Sequence, residues 1–199
     1  MIITIRQRWL AALALFAFVL PACSAWAKEP ALLLANVLGP HVDVTQYLVS
    51  EKFDGVRAVW DGKTLRFRSG RDVPAPAWWL AKLPATPLDG ELWLARGKFD
   101  ELSGIVRTSP AVDTDWRRVN YLIFELPDEA GALGTFEQRY SRIREVVAKA
   151  QWASLQVVEQ TRVADRAELK RRLDRVVKAG GEGLMLHLAN APYVTGRSD

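Results

Sequence analysis

Two runs of alternating apolar and polar residues, Val56 to Trp60 and Thr64 to Phe67, flank Asp61-Gly62-Lys63. Alternation at period two turns one face of each run toward a core. Asp-Gly between them predicts a tight hairpin whose two turn residues take positive φ. Tyr47 to Val49 is a shorter strand that runs into Ser50-Glu51-Lys52. Leu88 to Ala95 and Val119 to Leu126 also read as strands, and the second is so apolar that burial on both faces is predicted. Pro74, Pro76, Pro84 and Pro87 make residues 73–87 a loop with at most a short helix at Ala77 to Lys82. Residues 28–46 form a leader with an apolar patch at Leu32 to Leu34.

Helical periodicity comes late in the chain. Thr135 with Gln138 predicts a capping box, and Phe136, Tyr140, Ile143 and Val147 then share one face. Asp165 with Glu168 predicts a second box, followed by a stripe of Leu169, Leu173, Val176 and Val177 that ends at Gly180-Gly181. A last strand, Gly183 to Leu188, follows directly. No internal repeat or low-complexity tract interrupts this order. The prediction is an α+β domain of antiparallel sheets flanked by helices.

The first residues obey another rule. Arg6 and Arg8 precede an uncharged apolar run, Leu10 to Leu20, and Ala25-Trp26-Ala27 has the small-x-small pattern of a cleavage site. This predicts a signal peptide over residues 1–27 and a periplasmic mature domain over 28–199. The run is short for a membrane span, so no stable membrane association is expected after cleavage. Cys23 is the only cysteine and is expected to leave with the peptide, so neither a disulfide nor a thiolate metal site is predicted. The whole chain carries 27 basic and 23 acidic side chains. Loss of Arg6 and Arg8 leaves 25 against 23, a net +2, which permits a polyanionic partner without arguing for one.

Candidate chemistry concentrates in three places. Glu51-Lys52-Phe53-Asp54-Gly55-Val56-Arg57 sets a lysine at a strand end before Asp-Gly and an arginine. A lysine nucleophile needs burial and nearby cations. Gly55 permits a sharp turn and a close approach to a ligand, and Arg57 can face phosphate. Standing alone, these residues also describe a surface turn with a solvated lysine. Asp89 and Glu91 in Leu88-Asp89-Gly90-Glu91 lie at alternate positions of a strand and so on one face, which suits a divalent metal or a ribose hydroxyl, or else an exposed acidic surface. Glu182 puts a further carboxylate at the entry of the last strand. His41 and His187 have no partner at metal-ligand spacing and are read as structural or exposed. Trp78-Trp79 is read as packing, with a surface platform as the alternative.

Taken in order, Lys-x-Asp-Gly-x-Arg, Asp-Gly-Glu, a hydrophobic strand with Phe124, and Glu182-Gly183 resemble the covalent nucleotidyltransferases. Among them the chain is most similar to minimal bacterial ATP-dependent DNA ligases with an export signal, over roughly residues 30–199. The resemblance implies an adenylation domain with Lys52 as the lysine that takes up AMP from ATP, and with Asp54 and Arg57 as further catalytic residues. It implies cofactor contacts from Glu51, Arg68, Glu91, Phe124 and Glu182, with Phe124 stacked on adenine. Glu91 and Glu182 would form the environment of Mg²⁺. Arg68 matches an arginine implicated in ribose or nick-phosphate contact. Phe67 stands where that motif usually has serine, and Arg71 is the rival for the role. Glu125 stands beside Phe124 where aspartate is usual.

The implied partner is nicked duplex DNA, bound by a monomer in DNA repair, recombination or replication. The family continues to a Lys-x-Lys motif and an OB-fold domain. Neither has a counterpart between Glu182 and Asp199, where the last lysine is already behind at Lys178. The expectation is therefore an adenylation domain with its OB-fold domain absent, impaired in ATP activation and DNA clamping. A nucleotide- or DNA-binding remnant and an RNA ligase stay open, whereas an export signal argues against RNA capping. The N-terminal pattern has its own test. N-terminal sequencing of the periplasmic protein is expected to begin at Lys28, and intact Met1 in the cytosol would overturn it.

Overall fold

A computed structural model describes residues 29–128 and 130–197. The predicted signal peptide lies outside the described residues. Among the described residues nine strands and five α-helices follow in order. They are β1 (Leu33–Leu34), β2 (Tyr47–Lys52), β3 (Val56–Trp60), β4 (Leu65–Phe67), α1 (Ala77–Leu80), β5 (Leu88–Trp93), α2 (Phe99–Arg107) and α3 (Asp113–Trp116). After these come β6 (Asn120–Glu125), α4 (Phe136–Ala150), β7 (Leu155–Val157), α5 (Arg166–Lys178), β8 (Gly183–Leu188) and β9 (Gly196–Arg197).

A five-stranded sheet runs β4-β3-β5-β6-β7, and β2 pairs with β8 in a separate antiparallel ribbon. The antiparallel expectation meets two exceptions, because β6–β7 and β1–β9 are parallel pairs. These extra strands are two or three residues long, too short to leave a period in the sequence. The β3–β4 hairpin forms where the alternation places it, but only Gly62 takes positive φ (95°). Asp61 instead turns the chain with its side chain, its Oδ1 accepting from the amides of Lys63 (2.8 Å) and Thr64 (2.7 Å). The turn is thus an Asx-type loop of four residues rather than a two-residue primed turn.

The main core lies against the five-stranded sheet. Trp79 and Trp116 are fully buried, with Trp79 edge-on to Trp116 and to Trp152, each at 5.1 Å. Trp78 stays half-buried and donates its indole N–H to Asp113 (2.9 Å), so the tryptophan pair is packing and not a platform. Helix α4 starts with the complete Thr135–Gln138 box. It buries Phe136, Arg139, Ile143 and Val146, while Tyr140 and Val147 pack on the edge of the core. Helix α5 matches its predicted stripe less well. Leu169 joins Val44, Val49 and Val163 in a small second core, yet Leu173 and Val177 remain 39% and 53% exposed. A two-stranded ribbon is too narrow to cover the whole stripe. The Asp165 cap holds the Glu168 amide (2.7 Å), but Glu168 accepts from Ala164 rather than closing the box on Asp165.

His187 lies inside β8. It stacks on Phe136 with ring centres 3.4 Å apart and planes at 6°. Burial and the nearby Arg139 charge lower its pKa to about 3. A histidine that must stay neutral in the fold favours folding above its unfolded pKa near 6.5, and that stability drains as pH falls toward 3. One proton taken up preferentially by the unfolded chain is worth at most about 1.4 kcal/mol per pH unit. In urea titrations, His187→Phe is expected to lose less stability than wild type between pH 6.5 and 4. Parallel pH profiles for the two proteins would overturn this.

Candidate functional site

Lys52 is the last residue of β2, and Arg57 is the second of β3. The turn between them carries the chain from the ribbon into the larger sheet. Gly55 makes that crossing possible. A Cβ there would lie 2.3 Å from the Leu92 carbonyl oxygen and 2.6 Å from Glu91 Cγ. The close approach that the sequence ascribes to a ligand is therefore made to β5. On the ribbon side Lys52 pairs in register with Gly183, which sets Glu182 beside it. The Lys52 ammonium donates to the Glu182 carboxylate, and both side chains remain reachable from solvent at 45% and 39% exposure.

On the sheet side, Arg57 sits opposite Glu91 in register and reaches diagonally to Asp89, as cross-strand neighbours on one face can. Arg57 Nε and Nη2 donate to the two Asp89 oxygens (3.0 and 2.6 Å), and Nη2 also donates to the Leu33 carbonyl (3.0 Å). The guanidinium is largely committed to protein acceptors, so its first effect is to hold β3, β5 and the leader together. Asp89 is fully buried, and burial pushes its carboxyl up against the pull of Arg57. Glu91 rises to about 8 through burial, with Asp89 and Asp54 adding to the rise and Arg57 and Lys52 opposing it. Asp54 is exposed in the turn.

Phe124 enters the same face through an irregularity. Asp89 pairs with Glu125 and Gly90 with Ile123, leaving Phe124 without an opposite number. It is a β-bulge residue, and bulges re-aim side chains. Its ring lies under the Arg57 guanidinium, 5.3 Å from centroid to Cζ. Glu125 does not join this face as a free acid. Both its oxygens accept from Arg139, at 2.8 and 2.9 Å, in a pair that is almost wholly buried.

The remaining candidates divide. Glu51 has both oxygens on Arg96 (2.9 and 2.7 Å), and Arg96 also donates to the Ala179 carbonyl (3.2 Å). Arg96 thus ties the end of β2 to the turn before Glu182. The sequence reading misses it because a lone arginine in a loop has no pattern. Arg68 and its rival Arg71 are exposed in the turn after β4, at the sheet edge. Arg68 has no ion pair among the described residues, and neither arginine lines the hollow beside Lys52.

That hollow, of about 160 Å³, is walled by Glu51 to Asp54, Trp93, Arg96 and the 180–182 turn. Arg57, Glu91 and Phe124 are not among its walls. It is smaller than the roughly 300–1,000 Å³ of ordinary ligand pockets. Among the described residues no group of three or more His, Cys, Asp or Glu forms a metal cage.

A lysine and a carboxylate in contact where the ribbon meets the sheet, with a part-buried Arg–Asp pair and an aromatic on the adjoining face, fit the core expected of a nucleotidyltransferase. The ATP dependent DNA ligase domain family matches residues 40–199, and the chain belongs to that family. A DNA ligase of Haemophilus influenzae (strain Rd) is 33% identical over 152 residues, 76% of this chain and 55% of that protein. The chain thus spans about half the length of the curated relative it matches. A solved Lig E DNA ligase, described in terms of DNA binding with a minimal scaffold, aligns at TM-score 0.80 and 37% identity. That alignment covers 85% of this chain and 66% of the other. Chlorella virus DNA ligase-adenylate shares the fold at TM-score 0.70 and 20% identity, over 86% of this chain and 65% of that one.

The raised Glu91 pKa has a measurable sign. A carboxyl held neutral by the fold favours folding below its unfolded pKa of 4.5, and that advantage is lost as pH rises through about 8. Glu91→Gln is therefore expected to match wild type near pH 4.5 and to be the more stable protein at pH 9 in urea titrations. Equal stability at pH 9 would show that Glu91 ionises without cost.

Proposed function

We propose that this chain is the adenylating core of an ATP-dependent DNA ligase that acts on nicked duplex DNA as a monomer. The observation that carries the reading is the meeting of Lys52 and Glu182 from elements 130 residues apart. Arg57, Asp89, Glu91 and Phe124 lie on the adjoining sheet face. An ammonium has no lone pair, so the first step begins with loss of a proton from Lys52 Nζ. The freed pair forms the N–P bond to the α-phosphorus of ATP, and the bond to the β-phosphate oxygen breaks to release pyrophosphate. AMP then passes from Nζ to the 5′-phosphate oxygen of the nick. Attack by the 3′-hydroxyl forms the phosphodiester and releases AMP.

Phe124 supports a base-binding role because the bulge leaves it out of the ladder and it stands beside Arg57 on this face. Glu51 and Arg96 set the strand end from which Lys52 attacks. Asp54 is exposed in the same turn, and Arg68 on the sheet edge is available to nucleic-acid phosphate. Mg²⁺ fits this donor set. It binds through one or two carboxylates with substrate phosphates and waters completing its shell, which suits Glu91 and Glu182 and needs no protein cage. When bound it would offset the charge of the triphosphate. The N-terminal pattern of Arg6, Arg8, an apolar run and Ala25-Trp26-Ala27 supports action in the periplasm.

Incubation with α-labelled ATP and Mg²⁺, followed by a denaturing gel and peptide mapping, tests the first step. Label is expected on Lys52 and at background in Lys52→Ala. Label that survives in Lys52→Ala would remove this lysine from the mechanism. Sealing of a nicked DNA duplex in preference to nicked RNA is expected in the same preparation, and the reverse preference would make the protein an RNA ligase.

A further inference from the structure

Phe124 cannot be held by the ladder, because the bulge leaves it without a cross-strand partner. The residue after it is held with unusual completeness. Glu125 receives two parallel hydrogen bonds from Arg139 Nε and Nη2, an arrangement that fixes a plane as well as a distance. Its Oε1 also accepts from the Leu126 amide (2.8 Å), which clamps the backbone at the end of the bulge. Arg139 is itself immobilised on α4. Its Nη1 donates to the carbonyls of Gly134 (2.7 Å) and Ala191 (3.3 Å), and its guanidinium lies over the Phe136 ring at 5.7 Å.

Both members of the pair are shielded from water, with side-chain exposures of 0% and 1%. Burying two charges costs several kcal/mol per ion, and apolar residues of similar volume often serve stability as well or better. Stability alone is therefore a poor reason for this pair, and geometric specificity is a better one.

We propose that Arg139 is a positioning residue for nucleotide binding: through Glu125 it locks the β6 bulge so that Phe124 is presented to the adenine ring. The inference rests on the reading of Phe124 as the base-stacking residue. Arg139 does not touch the nucleotide. It removes the alternative bulge conformations in which the Phe124 ring turns away, so ATP binds a chain already in the competent shape.

The experiment measures ATP and inorganic tripolyphosphate affinity by calorimetry on the full chain, with circular dichroism and thermal melts as a check on folding. The variants are Phe124→Ala, Arg139→Met and their combination, together with Glu125→Leu/Arg139→Met, which removes both charges at once should the single change leave Glu125 buried alone and the chain unfolded. A base–aromatic stack is worth about 1–3 kcal/mol, so Phe124→Ala is expected to weaken ATP roughly 5- to 150-fold. Arg139→Met, or the charge-free pair, is expected to weaken ATP by a similar or smaller factor while leaving tripolyphosphate affinity within about twofold. Its effect is expected to vanish in the Phe124→Ala background, since residues acting through one contact are not additive.

Folded Arg139→Met or paired variants that bind ATP like wild type, while Phe124→Ala does not, would overturn the positioning role and leave the stacking reading standing. Losses that simply add to that of Phe124→Ala would do the same. Wild-type ATP affinity in Phe124→Ala would remove the stacking reading, and the positioning role with it.

Discussion

The site depends on one steric constraint, the contact of the Gly55 backbone with β5. The chain must leave the β2–β8 ribbon at Lys52 and be inside the five-stranded sheet by Val56. It has three residues in which to do so. Only a residue without Cβ can pass the Leu92 carbonyl and the Glu91 stem at that distance. The crossing fixes where Lys52 projects, brings Glu182 to it through the β2–β8 register, and sets Arg57 opposite Glu91. The elements that flank Lys52 are thus spaced by backbone packing, not by contacts among the reactive side chains.

Charge is then distributed with an evident asymmetry. The Arg139–Glu125 fork beside the Phe124 bulge is wholly buried, and the Arg57–Asp89 fork has its carboxylate buried and its guanidinium partly so. Of the pairs that wall the hollow, Lys52–Glu182 is substantially exposed on both sides, and Arg96–Glu51 is exposed at its arginine. Exposed pairs contribute little stability and exchange partners readily, whereas a desolvated fork is expensive to break. The partners of Lys52 can therefore be displaced more readily than the fork that holds Glu125. Glu91 lies between the two regimes, mostly buried and held near neutrality by its surroundings.

The hollow beside Lys52 is narrow and leaves Arg57, Glu91 and Phe124 outside its walls. Those three residues meet one another through the sheet register instead. The leader contributes as well, since the Leu33 carbonyl accepts from Arg57. It is a backbone acceptor, which no side-chain motif could have announced.

What the sequence determined by itself was the local grammar. A period-two run placed β3 at its observed bounds, the strand expected directly after Gly180-Gly181 matches β8, and the Thr135–Gln138 spacing placed the start of α4. The spacing of Lys52, Asp54, Arg57, Asp89, Glu91, Phe124 and Glu182 was legible as one set because those residues sit at fixed steps within or beside regular strands. Tertiary structure alone decided the rest. Strands β1, β7 and β9 exist only because a partner strand satisfies their backbone groups, since two or three residues carry no period of their own. The Phe124 bulge is a property of a pair of strands and is invisible in either one. The roles of Arg96 and Arg139 follow from carboxylates 45 and 14 residues away, and the exposure of Leu173 and Val177 follows from the narrowness of the ribbon beneath α5. Sequence patterns report forces between near neighbours along the chain, while these features arise from desolvation and register between segments that only folding brings together.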